Sequence, residues 1–171
     1  MKRLTLLRHA KSSWTEPSLA DHDRVLSERG ERDAPKMGKR MAARKVRPSR
    51  IIASSAARAR ATAKFIAEAL KYPAEFLQVE KELYLATPDQ ILELVCSQED
   101  NFSDLLLIGH NPGITDLANR LLPSIGLNNL PTSGVVALDF DTKKWSELAE
   151  VNAKLGFYDY PKNPELLLIE D

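Results

Sequence analysis

The sequence predicts an α/β fold, a three-layer α/β/α sandwich around a mostly parallel central sheet. Three observations predict it. Short apolar runs of strand length alternate with longer helical stretches along the chain. The run Leu105-Leu106-Leu107-Ile108 contains no polar residue, as a fully buried strand requires. Finally, Arg8-His9, Ser54-Ser55 and Gly109-His110 each follow a predicted strand, and ligands in such sheets bind beyond strand carboxyl ends.

The elements follow in order. Leu4 to Leu7 is a short buried strand with charged flanks, and a long polar loop runs from it through Trp14, Pro17 and His22. Ser27 with Glu28, Glu31 and Asp33 opens a basic helix whose positive end those acids suit. Pro35 is expected to kink that helix or to mark where its regular part begins. Arg50 to Ala53 reads as a second strand, Ala56 to Leu70 as an Ala-rich helix, and Phe76 to Val79 as a weak third strand. Thr87-Pro88-Asp89-Gln90 carries a helix start, with Thr as N-cap, Pro at the first position and Gln at the third. Leu105 to Ile108 is the fourth strand, and Asn111-Pro112-Gly113 opens a helix through Leu122. Val135 to Phe140 and Trp145 to Val151 read as two final strands joined at Asp141-Thr142. The region after Gly156 reads as a tail with Leu166 to Ile169 packing back.

No repeat, low-complexity segment or linker divides the 171 residues, so a single domain over 1–171 is expected. Acids and bases balance at 24 each, which excludes a field for polyanions, and no nucleic-acid motif is present. Charge is uneven locally: nine Lys/Arg against three Asp/Glu between Glu28 and Arg50, and eight acids against four bases between Asp139 and Asp171. A solvated helix face and an acidic strip account for both, with docking of an acidic partner as the alternative. Cys96 is the only cysteine, so no internal disulfide forms and a reducing, cytoplasmic compartment is expected. Its apolar surroundings suit a packed thiol. The apolar run after Met1-Lys2-Arg3 is too short for a signal peptide, and no stretch has membrane-spanning length. Neither a nucleotide-binding glycine loop nor metal-ligand spacing occurs, so no cofactor and no metal are expected.

Phosphoryl transfer needs an in-line nucleophile and fixed donors around three equatorial oxygens. A neutral imidazole can be that nucleophile, and guanidiniums suit the oxygens because they are planar, charged and bidentate. Two strand-end histidines and two arginines supply such a set. Each alone reads as a structural or surface residue; together, in order, they point to one crevice.

Leu6-Leu7-Arg8-His9-Ala10 resembles the Arg-His-Gly signature of the histidine phosphatase superfamily, also called phosphoglycerate-mutase-like. The stretch from Ser54 to Ala63, with Arg58-Ala59 and Thr62, is similar to its second motif. Leu107-Ile108-Gly109-His110-Asn111 is similar to its third. The resemblance implies a phosphoglycerate-mutase-like fold, His9 as nucleophile, and Arg8, Arg58 and His110 as the phosphate pocket, with Asn111 beside it. Arg60 lies two residues beyond Arg58 and reads as a surface residue. Ala10 stands where the family usually has Gly, which excludes a glycine-only conformation but not the fold. A protonated His110 sharing the phosphoryl charge is a further expectation.

The first loop and the segment from Asp21 to Gly30 most resemble the SixA-type phosphohistidine phosphatases. That branch implies Arg24 near the phosphate; a loop Arg paired with Asp21 or Asp23 is the alternative. Ester-cleaving relatives carry an acid on the loop after the third strand, and Glu82 is the candidate here, though no Gly follows it in the family's spacing. Phosphohistidine, with its weak P–N bond, needs such an acid less. The sequence therefore leaves three readings: hydrolysis of protein phosphohistidine, a small-molecule phosphomonoesterase using Glu82, and a non-catalytic phospho-ligand module. The partner is accordingly a phosphorylated protein or a small phosphorylated metabolite. Trp14 is a candidate rim aromatic or a loop anchor, and His22 has no motif around it.

Overall fold

The computed structural model describes residues 1–164. Its strands are β1 (Lys2–Arg8), β2 (Arg50–Ser54), β3 (Gln78–Glu80), β4 (Asp104–Gly109), β5 (Val135–Phe140) and β6 (Ala153–Asp159). Its helices are α1 (Glu28–Ala43), α2 (Ala57–Ala69), α3 (Pro88–Cys96) and α4 (Gly113–Leu121). The strands form one sheet in the order β3-β2-β4-β1-β5-β6. The first four are parallel, whereas β5 runs antiparallel to β1 and β6 antiparallel to β5.

Strand periodicity sorts the core into two layers. Leu4 and Leu6 of β1, with Leu105 and Leu107 of β4, pack on Ile91, Val95, Ile114 and Leu117 of α3 and α4. Leu7, Leu106 and Ile108 face the other way, onto Met37 and Met41 of α1 and Ala59, Ala63 and Ile66 of α2. This gives the expected sandwich.

Ser27 caps α1, its Oγ accepting the Gly30 N–H at 3.1 Å. Pro35 does not end the helix, which continues to Ala43. Its missing N–H costs one backbone bond, but Ala34, Met37, Gly38 and Met41 bury one face around it. Gly38 permits the close approach to α2, since a Cβ there would meet the Ala69 Cβ at 2.6 Å. At α3 the capping box forms as expected: Thr87 Oγ1 accepts from Gln90 N at 3.2 Å, and Gln90 Oε1 from Thr87 N at 2.9 Å.

The chain after β5 departs from the sequence reading. Trp145–Glu150 is a 3₁₀ turn, not a strand. Trp145 and Leu148, three residues apart as that turn requires, are both fully buried, and Trp145 Nε1 donates to the Phe102 carbonyl at 2.8 Å. The last strand is instead Ala153–Asp159, whose second half falls in the region after Gly156 that reads as a tail. As the sheet edge it has only its first and last residues buried, so it carries little alternation to read. The third strand is also shifted, with Phe76 ending a short 3₁₀ turn before it. Leu166 to Ile169 lie outside the described residues. No described helix is long and apolar enough to cross a membrane.

Candidate active site

The parallel register sets the site. β1 and β4 are neighbours with Arg8 opposite Gly109, so His9 and His110 leave the sheet side by side. The His9 N–H donates to the Gly109 carbonyl at 3.0 Å, and the two ring centroids stand 5.0 Å apart. On the other flank of β4, β2 ends in the buried Ser54, and α2 starts three residues later at Ala57, presenting Arg58 from its first turn.

His9 is 8% exposed. Its Nδ1 lies 2.8 Å from the Ala10 carbonyl, which can only accept, so the proton sits on Nδ1 and Nε2 keeps its lone pair. Burial, and then the charges of Arg58, Arg8 and Arg24, lower the ring from its usual range to about 4. The imidazole is therefore neutral around pH 7, as a nucleophile must be. Ala10 has no left-handed backbone angle, so the alanine is accommodated without strain. Its N–H donates to Thr62 Oγ1, whose own proton goes to the Arg58 carbonyl, tying the nucleophile's loop to α2.

Arg58 is 4% exposed and divides its donors between two sides. Its Nε points at His9 Nε2 at 3.4 Å, and its Nη2 lies 3.5 Å from His110 Nδ1. Its other contacts go to Asp21: Nη1 to the main-chain oxygen at 2.7 Å and Nη2 to Oδ2 at 3.0 Å. The Nε/Nη2 edge therefore faces both histidine rings, where a phosphoryl oxygen would sit.

His110 does not fit a protonated role in the free protein. Burial, the neighbouring His9 and Arg58 push its ring down to about 3, so it is neutral and offers one N–H. Its Nε2 lies 2.7 Å from Ser54 Oγ, which also accepts the Ala56 N–H. Arg58 Nη2 can only donate to Nδ1, so the His110 proton sits on Nε2 and is given to Ser54 Oγ, while Nδ1 faces the pocket with its lone pair.

Arg8 donates from Nη1 to the Leu130 carbonyl at 3.0 Å, and its buried Nε has no hydrogen-bond partner among the described residues. Arg24 is buried as well, with Nε on the Ser13 carbonyl, Nη1 on Asp21 Oδ1 and Nη2 on Ser12 Oγ. Arg24 pairs with Asp21, as the alternative reading had it, and its charge also acts on His9. Trp14, 70% exposed, stacks on its guanidinium with 3.2 Å from Cζ to the ring centroid.

Asn111 and Glu82 do not come to the pocket as substrate ligands. The Asn111 amide nitrogen donates to Asn129 Oδ1 and the Leu130 carbonyl, and its oxygen accepts from Thr115 Oγ1. That side chain is engaged in scaffold; it holds the Leu130 carbonyl on which Arg8 rests. Glu82 is exposed and makes no hydrogen bond or ion pair with any described residue. Tyr84, two residues on, is the group from that turn that reaches the site. Its hydroxyl donates to Asp21 Oδ2, and its ring meets His110 edge-on at 5.5 Å and His22 at 4.8 Å. His22, unassigned from sequence, joins this rim with Nε2 2.8 Å from Ser55 Oγ. Asp21, Tyr84 and Ser54 were likewise missed as site residues. Arg60 is exposed, as read. No three His, Cys, Asp or Glu side chains cluster to hold a metal among the described residues.

Three comparisons show what the chain is similar to. Residues 4–85 match the model of the histidine phosphatase superfamily (branch 1). An uncharacterised Mycobacterium tuberculosis protein is 33% identical over 165 residues, covering 91% of this chain and all of that one. Two solved structures carry the provisional name phosphohistidine phosphatase SixA. The Agrobacterium tumefaciens protein is 28% identical with a TM-score of 0.80, over 94% of this chain and 98% of its own. The Nakamurella multipartitia protein is 26% identical with a TM-score of 0.80, over 95% and 97%.

Proposed function

The chain belongs to the histidine phosphatase superfamily (branch 1), and from that premise we propose that it hydrolyses protein-borne phosphohistidine through a phospho-His9 intermediate. The observation that carries the reading is the state of His9: proton fixed on Nδ1, ring neutral, and the Nε2 lone pair turned to the Arg58 edge, where it accepts a long 3.4 Å bond from Nε.

In the first step the His9 Nε2 lone pair attacks phosphorus in line. The bond from phosphorus to the substrate imidazole breaks with its electron pair staying on that nitrogen, and because the ring's other nitrogen already carries a proton the leaving group is a neutral imidazole. Arg8 and Arg58 stabilise the transferring oxygens, with the His110 ring beside them in the pocket. In the second step water attacks phospho-His9, releasing orthophosphate and restoring the imidazole. No metal takes part in this scheme.

A phosphoramidate suits the site better than an alkyl ester. Expelling an alkoxide calls for a protonated acid beside the leaving oxygen. The carboxylate at this pocket, Asp21, is held ionised by Tyr84, Arg58 and Arg24, well below the usual carboxylate range. Glu82 is disengaged. The names of the two SixA-type neighbours support the same substrate class.

The test compares wild type and His9→Ala, in chelator, on a phosphorylated histidine-containing carrier protein and on p-nitrophenyl phosphate. Rapid loss of the carrier's phosphohistidine, reduced by at least about 10³ in the variant, is expected. Activity on the ester alone would move the substrate to small molecules. Orthophosphate binding without turnover of either compound would leave a binding module.

A further inference from the structure

The resemblance gives Asp21 no role of its own, yet Asp21 contacts three groups that face the site. Oδ1 accepts from Arg24 Nη1 at 3.0 Å, Oδ2 accepts from Arg58 Nη2 at 3.0 Å and from the Tyr84 hydroxyl, and its main-chain oxygen accepts from Arg58 Nη1 at 2.7 Å. It stands in the short 3₁₀ turn Asp21–Asp23, whose spacing brings Arg24 back to the carboxylate three residues earlier.

We infer that Asp21, braced by Tyr84, is a positioning residue that sets the Arg24 and Arg58 guanidiniums for the phosphoryl group. The inference rests on the phosphatase reading above. Arg58 is bound to Asp21 by its terminal nitrogens, which leaves the Nε/Nη2 edge directed at His9 and His110. A guanidinium is planar, so fixing one edge fixes the plane of the other. Arg24 is held by the same carboxylate while Ser12 and Ser13 take its remaining nitrogens.

Charge points the same way. Three guanidiniums, those of Arg8, Arg24 and Arg58, surround His9. With one carboxylate among them, two net positive charges remain, matching a phosphoryl group of roughly −2 near neutral pH. Tyr84 adds the link between elements: it ties the first loop to the turn after β3 while its ring lies edge-on to His110. A simple loop anchor would need one of these contacts, not all four.

The experiment measures three quantities for wild type, Asp21→Asn and Tyr84→Phe. They are the single-turnover rate of His9 phosphorylation by p-nitrophenyl phosphate, the orthophosphate Kd by calorimetry, and the melting temperature. Asparagine keeps the shape but loses the charge and one acceptor pair. Asp21→Asn is expected to slow phosphorylation by about 10- to 100-fold, because misorientation near 1 Å costs up to about 10². Orthophosphate Kd is expected to stay within about threefold, since the lost repulsion offsets lost order. Tyr84→Phe keeps the ring and should shift the rate in the same direction, by less. A rate within twofold of wild type in Asp21→Asn overturns the inference, as does a rate loss matched by the loss in phosphate affinity. A lower melting temperature with an unchanged rate makes Asp21 an anchor only. If wild type itself never labels His9, the phosphatase reading falls and this inference with it; a labelling wild type beside an equally fast Asp21→Asn sinks this inference alone.

Discussion

The two ends of the sheet treat ionisable groups in opposite ways. At the carboxyl edge, two bases are held uncharged: His9 near 4 and His110 near 3, pushed down by burial and by arginines. At the amino edge, a register row runs Asp104–Arg3–Asp139 across β4, β1 and β5. There Arg3 pairs with Asp139 at 2.7 Å, and burial raises Asp104 to about 6, with Arg3 pulling it down and Asp139 pushing it up. Both edges contain shifted groups, but only one converges. The arginines at the carboxyl edge point at a shared volume between two histidines, whereas Asp104 has a buried oxygen with no hydrogen-bond partner. A cleft of about 580 Å³ near the amino edge, lined by Lys45, Arg47 and Tyr72 among others, holds none of the site residues. A shifted pKa thus marks a functional site only when its causes share a target.

Removing Arg58 is the largest way to break the contrast. Arg58→Met should lower turnover by about 10²–10³, the usual cost of losing one oxyanion donor. The pH profile supplies the second readout. His9 must be unprotonated, so wild-type kcat/KM should fall only as pH drops through about 4. Arg58 lowers both histidines, so the variant's acid limb should move up toward the ordinary histidine range. A variant with unchanged turnover and an unmoved limb would mean that the guanidinium does not act on the reacting atoms.

That edge was legible in the sequence as far as local motifs reach. Arg8 ends β1 with His9 next, His110 follows β4, and Arg58 opens the helix just beyond β2, so strand order brings them together. Asp21 and Tyr84 were not legible, because they meet across 63 positions through a side-chain contact that no periodicity encodes. The Asp21–Arg24 spacing within a short turn was the available signal. Asn111 was misassigned for a related reason: adjacency to His110 does not show where an amide spends its hydrogen bonds. The chain from Trp145 to Asp159 misled because an i, i+3 burial pair in a 3₁₀ turn imitates an apolar strand, while the true edge strand is mostly exposed.

At the amino edge the largest effect concerns stability. Asp104 has a folded-state pKa near 6 against 3.8, so the folded protein binds more protons than the unfolded chain between those values. Its contribution therefore weakens as pH rises from about 4 to 6, and above that ionised Asp104 costs stability. The histidines have the opposite sign: with depressed pKa values they cost stability as pH falls below about 6.5. The two edges oppose each other across this window. Asp104→Asn should raise stability by about 1–2 kcal/mol at pH 7.5 and leave it unchanged near pH 4, as read by urea melts at both values. Equal effects at both pH values would show that packing, not charge, distinguishes the position.

The smallest effect sharpens where the catalytic edge ends. Trp14 lies over Arg24 but is largely exposed, and Arg24 keeps its bonds to Ser12, Ser13 and Asp21 without it. An exposed cation–π contact is worth about 0.5–1 kcal/mol, so Trp14→Ala should reduce kcat/KM on p-nitrophenyl phosphate by only about two- to fivefold. The same variant assayed on a phosphorylated carrier protein separates two roles for the ring. An equal reduction assigns Trp14 to holding Arg24, inside the charged pocket. A reduction tenfold or more beyond that on the protein substrate would place the ring in contact with the carrier and extend the functional edge outward along the first loop.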